Sequence, residues 1–274
     1  MRESFSVAIV GATGAVGGEF LRLFEQRKFP ISSLTLLASE RSVGKELTFA
    51  GTSIKIQEAK PGAFAGIDLA FFSAGATRSK ALVPDALAAG AIVVDNSSAF
   101  RMDPAVPLIV PEVNPNTYTD ANRLFAVGNC TAILLCTAIN PLRSLGKMKR
   151  LIVSTYQSAS GGGASMMRQL EDETRAIVNN ETLPPTSLNQ TYGFNLFSHN
   201  TAIGESGYNE EELKVIEETK KILGEPDLKI NVTCVRVPIL RAHTETVTIE
   251  FDGPAPSVEA ARGTLKGTGS HARG

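Results

Sequence analysis

Over the first half of the chain, short apolar runs alternate with glycine-containing turns and stretches of helical period. Phe5-Ser6-Val7-Ala8-Ile9-Val10 reads as a strand, and Glu19 to Phe24 as a helix with Phe20, Leu21, Leu23 and Phe24 on its apolar side. Further strands are predicted at Leu34–Ala38, Asp68–Phe72 and Ala91–Asp95, with a helix over Thr77–Ala89 between the last two. Strands alternating with helices in this way predict a parallel sheet covered by helices on both faces. Leu124–Val127 is one more strand, and Ala132–Ile139 is apolar all round, as a buried helix is. The rhythm then changes. A strand at Leu151–Gln157 precedes a helix from Ala164 towards Val178, and residues 179–200, rich in Asn, Thr and Pro, read as a loop. A charged helix follows at Glu210–Leu223, and strands of alternating character at Ile230–Val237 and Thr244–Phe251. Pro256 to Arg262 opens a helix with Ser257 as its N-cap, and residues 263–274 read as an irregular glycine-rich tail.

Composition narrows the function classes. The chain has 274 residues, 43% hydrophobic and 20% charged, enough for one large domain or two modest ones. A net charge of −1 with both signs mixed argues against nucleic acid and against an acidic membrane surface. No apolar run reaches membrane-spanning length, and Met1-Arg2-Glu3-Ser4 leads into a strand without a signal-peptide core. Three cysteines (Cys130, Cys136 and Cys234) have no metal-ligand spacing, and an odd count suits a free thiol in a reducing, cytoplasmic setting.

Chemistry concentrates at a few turns. Gly11-Ala12-Thr13-Gly14-Ala15-Val16-Gly17 lies between a strand and a helix, the context of a dinucleotide fingerprint, with G-x-x-G-x-x-G spacing. Its glycines permit the turn and a close backbone approach to a pyrophosphate at the helix N-terminus. The second strand ends in Ser39-Glu40-Arg41-Ser42, where an acid grips the ribose of NAD and an arginine accommodates the extra phosphate of NADP. Both types are present, and the flanking hydroxyls favour Arg41 and NADP. Ser73-Ala74-Gly75 and Asn96 to Arg101 follow strands at the edge where parallel sheets bind ligands, so Arg101 is a candidate anion clamp rather than a plain surface charge. Gly128-Asn129-Cys130-Thr131-Ala132 puts a cysteine at a helix N-terminus, where backbone N–H groups and the helix dipole favour the nucleophilic thiolate. The plainer reading of Cys130 is a small buried apolar residue. His243, in Pro238 to His243 between two strands, is a candidate base or simply a structural histidine.

Together with Asp95-Asn96-Ser97-Ser98-Ala99-Phe100-Arg101, Thr155-Tyr156-Gln157, Ser160-Gly161, Glu211-Glu212-Leu213-Lys214 and Arg236 to His243, these motifs occur in an order that resembles the aspartate-β-semialdehyde dehydrogenase family. The resemblance covers the chain from its start to about residue 262. It implies an α/β fold: an N-terminal Rossmann-type domain over residues 1–129 that binds NADP, and an α+β catalytic and dimerisation domain over 130–262, like that of glyceraldehyde-phosphate dehydrogenases. Residues 263–274 are left as the tail. The implied roles are Cys130 as acyl-forming nucleophile, His243 as acid/base and Gln157 as orienting group. Arg236 would hold the substrate carboxylate and Glu211 its ammonium, while Arg101, Asn96 and Lys214 would hold phosphate. Gly11, Thr13, Gly14, Ala15, Val16, Ser39, Arg41, Ser42, Ser73, Ser160 and Gly161 would contact NADP, and no metal is implied.

The implied reaction is NADPH-dependent reduction of aspartyl-β-phosphate to aspartate-β-semialdehyde, with phosphate released. It serves lysine/diaminopimelate, methionine, threonine and isoleucine biosynthesis in a homodimer or homotetramer. An N-acetyl-γ-glutamyl-phosphate reductase or a glyceraldehyde-phosphate dehydrogenase is the nearest alternative, and Glu211 speaks against an acetylated amine. A non-catalytic regulatory protein on the same fold is another. The resemblance also implies a further C-terminal segment in family members, so this chain reads as truncated, with poor stability and little turnover expected.

Overall fold

The protein, a computed structural model, is described over residues 4–186, 188 and 190–267. Residues 1–3 and the last part of the expected tail, 268–274, lie outside the described residues. The chain divides into two compact units, one of residues 1–109 and 116–128, the other of residues 110–115 and 129–274.

In the first unit the predicted alternation folds into a sheet of eight strands: β1 (Phe5–Val10), β2 (Ile31–Ala38), β3 (Glu46–Phe49), β4 (Thr52–Glu58), β5 (Leu69–Phe72), β6 (Ile92–Asp95), β7 (Leu108–Ile109) and β8 (Leu124–Val127). Helices α1 (Ala15–Gln26) and α2 (Ala76–Ala88) connect strands of this sheet. The order is β3-β4-β2-β1-β5-β6-β8-β7, and all neighbours are parallel except β3 and β4. The β3–β4 hairpin was not among the predicted strands, although Leu47, Phe49, Ile54 and Ile56 alternate with polar residues as half-buried strands do and pack on the α1 layer. Val7, Ile9, Leu36 and Ile56 pack one apolar layer with Leu21 and Phe24 of α1. Ala8, Val10, Phe72 and Val93 pack the other with Leu82, Val83 and Ala86 of α2. The strand order reverses at β1, which puts the ends of β1 and β5 at the crevice where such sheets take ligands.

The second unit is α+β. Strands β9 (Met148–Gln157), β10 (Phe197–Ser198), β11 (Lys229–Arg236) and β12 (Thr244–Phe251) form a mixed sheet of order β10-β11-β9-β12. Helices α3 (Cys130–Ile139), α4 (Gly163–Val178), α5 (Glu210–Leu223) and α6 (Val258–Gly267) complete it. Leu151, Val153, Thr155 and Gln157 of β9 point to the buried face with Val232, Cys234 and Arg236 of β11, as period-two alternation requires. Ile152 and Tyr156 of β9 lie on the opposite, exposed face with Thr244, Thr246 and Thr248 of β12. Two expectations need correction. The loop over residues 179–200 contains the short strand β10, held by antiparallel pairing of Phe197 and Ser198 with Arg236 and Val235. The tail is also not irregular from Gly263: α6 continues to Gly267, capped by a hydrogen bond from the Ala260 N–H to Ser257 Oγ and packed against the 3₁₀ segment Asn140–Leu145. A single glycine inside a helix costs about 1 kcal/mol relative to alanine, too little to end a helix that has a packing partner.

Candidate active site

In the first unit the glycine turn after β1 is constrained by its neighbours. Gly11 has φ +91°, and a Cβ there would come within 2.4 Å of the Ser73 carbonyl oxygen. A Cβ on Gly17 would come within 2.4 Å of the Gly11 carbonyl. Helix α1 therefore starts directly over the turn. Gly14 is its N-cap and makes no side-chain cap bond. The first N–H groups of a helix lack intrahelical acceptors, so Ala15 and Val16 offer donors to an anion beside the exposed Thr13. This arrangement fits the pyrophosphate of a dinucleotide.

Beyond β2, Ser39 precedes a 3₁₀ turn, Glu40–Ser42, in which Ser42 is buried while Glu40 and Arg41 are both exposed. After β6 the buried Asp95 carboxylate accepts hydrogen bonds from Ser79 Oγ at 2.8 Å, Ser97 Oγ at 2.7 Å and the Ser97 N–H at 3.1 Å. That ties down the following loop, in which Arg101 Nη2 donates to the Asn96 carbonyl at 2.9 Å. Asn96 Nδ2 lies 3.5 Å from Ser73 Oγ. Ser73, Asn96 and Arg101 thus gather at the carboxyl ends of β5 and β6.

The second unit holds the cysteine, the histidine and the groups expected around them. Asn129 is the N-cap of α3, its side-chain oxygen accepting the Thr131 and Ala132 N–H groups at 2.9 and 3.2 Å. Two carboxylates of α5, a helix turn pair apart, hold Asn129 in turn: Glu218 accepts its backbone N–H, and Glu211 Oε1 accepts its Nδ2 at 2.9 Å. Cys130, the first residue of α3, is exposed, with Sγ 3.2 Å from His243 Nε2. The turn that delivers His243 contains Ala242 at φ +71°, a conformation L-residues rarely adopt.

The other face of the imidazole decides where its proton sits. His243 Nδ1 is 3.0 Å from the backbone nitrogen of Ser158, whose N–H can only donate, and 3.1 Å from Ser158 Oγ. Nδ1 therefore keeps its lone pair and the proton lies on Nε2, pointing at Cys130. Burial and then the Arg236 cation favour the neutral ring and hold His243 below the usual histidine range, against the opposite pull of Glu211. A neutral ring with its hydrogen on Nε2 donates to a thiolate sulfur.

Gln157, at the end of β9, donates through Nε2 to Thr131 Oγ1 and Glu211 Oε1, both at 2.9 Å. Burial opposes ionisation of Glu211, but the hydrogen bonds from Asn129 and Gln157 and the Lys214 charge hold its carboxyl below the usual range. Lys214 Nζ is 3.8 Å from Glu211 Oε2. Arg236, 4% exposed at the end of β11, donates through Nη1 to the Ser158 carbonyl at 2.9 Å, and its Nη2 faces His199 Nε2 at 2.7 Å. Its buried Nε has no hydrogen-bond partner among the described residues. A buried guanidinium N–H without an acceptor costs free energy, and an incoming carboxylate relieves it. Ser160 Oγ lies 2.9 Å from Ser158 Oγ, and a Cβ on Gly161 would sit 3.0 Å from Arg236 Nη1 and 3.4 Å from His243 Cε1. Gly161 thus leaves room for both side chains.

Of the residues expected from sequence, the second unit brings together Cys130, His243, Gln157, Arg236, Glu211, Lys214, Ser160 and Gly161, and the first gathers the remainder. Asn129, Ser158, His199 and Glu218 were missed. Asn129 had a signal, an N-cap residue ahead of an apolar run. Glu218 sits two helical turns beyond Glu211, a spacing that places both on one face. Nothing local marked His199 or Ser158.

The other two cysteines differ from Cys130. Burial pushes the thiols of Cys136 and Cys234 up to about 12, which leaves them protonated and inert. Beside them lies Glu245, paired across the sheet with Thr155, which pairs in turn with Cys234. Glu245 Oε1 is buried without a hydrogen-bond partner among the described residues, and burial pushes the carboxyl up to about 8. The folded protein then binds a proton here that the unfolded chain has lost, so this group's contribution to stability falls as pH rises from the unfolded value of 4.5 through about 8. Glu245→Gln is expected to raise the melting temperature at pH 8 and to flatten its decline between pH 5 and pH 8. Equal slopes in thermal melts of parent and variant would show that Glu245 is ionised throughout.

Comparison with known proteins accords with both halves. Residues 6–121 match the family model "Semialdehyde dehydrogenase, NAD binding domain", and residues 139–271 match "Semialdehyde dehydrogenase, dimerisation domain". The aspartate-semialdehyde dehydrogenase of Synechocystis sp. is 48% identical over 262 residues, which cover 96% of this chain and 77% of that protein. The crystal structure of aspartate semialdehyde dehydrogenase II from Vibrio cholerae complexed with ASA superposes with a TM-score of 0.93 at 36% identity, covering 98% of this chain and 80% of that one. The Candida albicans aspartate semialdehyde dehydrogenase with NADP superposes with a TM-score of 0.72 at 25% identity, covering 95% of this chain and 75% of that one.

Proposed function

From the premise that this chain belongs to the aspartate-semialdehyde dehydrogenase family, we propose that it reduces L-aspartyl-β-phosphate to L-aspartate-β-semialdehyde through a thioester on Cys130. The observation that carries this reading is Cys130 Sγ lying 3.2 Å from a His243 nitrogen that bears its proton on the cysteine side, with the buried Arg236 and Glu211 also in this unit. The Cys130 thiolate attacks the acyl carbon, the carbon–oxygen bond to phosphate breaks, and phosphate leaves with the bonding pair. The glycine turn after β1 would hold a nicotinamide dinucleotide, which when bound would supply the hydride that reduces the thioester. His243 Nε2–H is placed to donate to the oxygen that carries the resulting charge. Collapse of the tetrahedral oxyanion held by that hydrogen bond re-forms the carbonyl, breaks the carbon–sulfur bond and releases the aldehyde, the bonding pair returning to Cys130 as the thiolate.

Recognition divides by charge. The Nε–H of Arg236 suits the α-carboxylate, and the ionised Glu211 suits an ammonium rather than an acetylated amine, which favours an aspartyl over an N-acetylglutamyl substrate. Arg101, Asn96 and Lys214 supply donors for the phosphate. Gly11, Thr13, Gly14, Ala15, Val16 and Ser73 would cradle the cofactor, with Ser39, Arg41 and Ser42 at its ribose and Ser160 and Gly161 on its nicotinamide side. The aldehyde feeds lysine and diaminopimelate, methionine, threonine and isoleucine synthesis. The exposed sheet face that carries Ile152 and Tyr156 is the surface on which a second copy would dock. Three cysteines outside disulfides fit the reducing cytoplasm.

Turnover of aspartate semialdehyde with phosphate and NADP, followed by nicotinamide absorbance, supports the proposal, and folded protein on which aspartyl-β-phosphate leaves no acyl group at Cys130, read by mass spectrometry, would refute it. His243→Ala is expected to lower kcat by about 10²–10⁴-fold and to remove one limb of the pH–rate profile. A profile of unchanged shape would take His243 out of the chemistry. Arg41→Ala is expected to weaken NADP more than NAD, by about 5- to 50-fold, the scale of one charge-assisted contact. Equal use of both cofactors by the parent protein would instead assign the ribose site to Glu40.

A further inference from the structure

We infer that His199 is a positioning residue for substrate recognition, a neutral acceptor that holds Arg236 in its carboxylate-binding orientation and ties it to the segment carrying Glu211. His199 is 7% exposed, in the turn after β10, and sequence pattern gave it no role. Its Nε2 lies 2.7 Å from Arg236 Nη2. A guanidinium has only donors, so this nitrogen must accept, and the ring proton is left on Nδ1. Nδ1 in turn lies 3.2 Å from Thr201 Oγ1, the same oxygen that accepts the backbone N–H of Glu211 at 3.3 Å. The two groups that read the substrate's opposite charges are thereby joined through one imidazole and one hydroxyl. The ring is also fixed at its backbone, where the His199 N–H donates to the Cys234 carbonyl at 2.9 Å.

The arrangement works only with a neutral ring, because an imidazolium would set a second donor and a second positive charge against Arg236. Burial, followed by the Arg236 charge, pushes His199 down to about 4, despite the opposing pull of Glu211. Arg236 Nη1 is held independently by the Ser158 carbonyl, so His199 fixes the second end of the fork and leaves Nε to the ligand. A leucine in its place would free Nη2, and the guanidinium could then turn away from the productive plane.

This inference rests on the function proposed above. The first test does not depend on turnover. Of the three histidines in the chain, His199 is expected to show the Nδ1–H tautomer by ¹⁵N NMR, and His243 the Nε2–H tautomer. His199 should also stay neutral down to pH 5. An Nε2–H tautomer or an imidazolium at neutral pH would overturn the inference, whatever the activity. The second test compares aspartate semialdehyde with 3-aminopropanal, which lacks the α-carboxylate. His199→Leu is expected to lower kcat/KM for aspartate semialdehyde by about tenfold or more, chiefly through KM, and to change 3-aminopropanal by less than about twofold. His199→Gln, whose amide oxygen can accept from Arg236, is expected to recover the parent preference to within about threefold. Equal losses on both aldehydes in folded His199→Leu protein, or no recovery with glutamine, would reduce His199 to a packing residue. Folded parent protein that forms no acyl group on Cys130 would refute the proposed function, and the NMR result would still decide this inference.

Discussion

Replacing Cys130 with serine is expected to lower turnover by on the order of 10⁴-fold or more, the scale on which enzymes lose activity when a covalent nucleophile is removed. Cys130 opens α3, where the helix dipole favours negative charge, and His243 presents Nε2–H to the sulfur at 3.2 Å. An alcohol's pKa lies far above that of a thiol, so neither feature can bring a serine into its anionic form at neutral pH. The fold should be little disturbed, because the residue is exposed and the cap is made by Asn129. Affinity for NADP, measured by fluorescence titration, should remain close to that of the parent. A serine variant working at near-parental rate would exclude the thioester route. The same experiment with Cys136 and Cys234 should leave the mechanism intact, since burial keeps both protonated.

Arg236→Leu is expected to cost about 30- to 3,000-fold in kcat/KM for aspartate semialdehyde, the equivalent of about 2–5 kcal/mol for removing one member of a buried charged contact. Arg236 is buried at the end of β11, with Nη1 on a backbone carbonyl, Nη2 on an imidazole and Nε left over. Losing it removes the donor for the substrate carboxylate and leaves the Ser158 carbonyl and His199 Nε2 without their charged partner. Arg236→Lys should recover little of the loss, because the three donors of an ammonium radiate from one nitrogen and cannot reproduce a planar fork spread over Nε, Nη1 and Nη2. Alkylation of Cys130 by iodoacetamide should proceed at near-parental rate, which separates a recognition defect from a damaged nucleophile. A large kcat/KM loss matched by an equal fall in alkylation would point to collapse of the whole site instead.

Much of this protein was already legible in its residues. The apolar runs at Phe5–Val10 and Leu34–Ala38 fell within strands, and the helical stretch read over Thr77–Ala89 is α2 to within one residue at each end. A strand buried on both faces needs an unbroken apolar run, and a covering helix needs an apolar stripe, so the burial is written in the local pattern. The glycine turn after β1 was readable for a similar reason. A positive φ at Gly11 and the contact with the Ser73 carbonyl each leave room only for glycine. The β3–β4 hairpin was overlooked despite its alternation, whereas the two-residue β10 owes its place to a pairing partner distant in the chain. Continuation of α6 past Gly263 likewise depended on a packing partner.

What the sequence by itself determined is the identity of the chemical groups and the elements that carry them: a cysteine at a helix start, an arginine at a strand end, a histidine in the turn before the last strand. Only the tertiary structure decided which way those groups are protonated and what holds them. That His243 carries its proton on Nε2 follows from a backbone N–H of Ser158, 85 residues away in the chain. That Asn129 is held by Glu211 and Glu218, and Arg236 by His199, follows from the packing of α5 and the pairing of β10 with β11. Periodicity records which side of an element is buried, because burial acts on each residue separately. A hydrogen bond requires two groups at about 3 Å and in line, and no local pattern encodes a meeting between residues far apart in the chain.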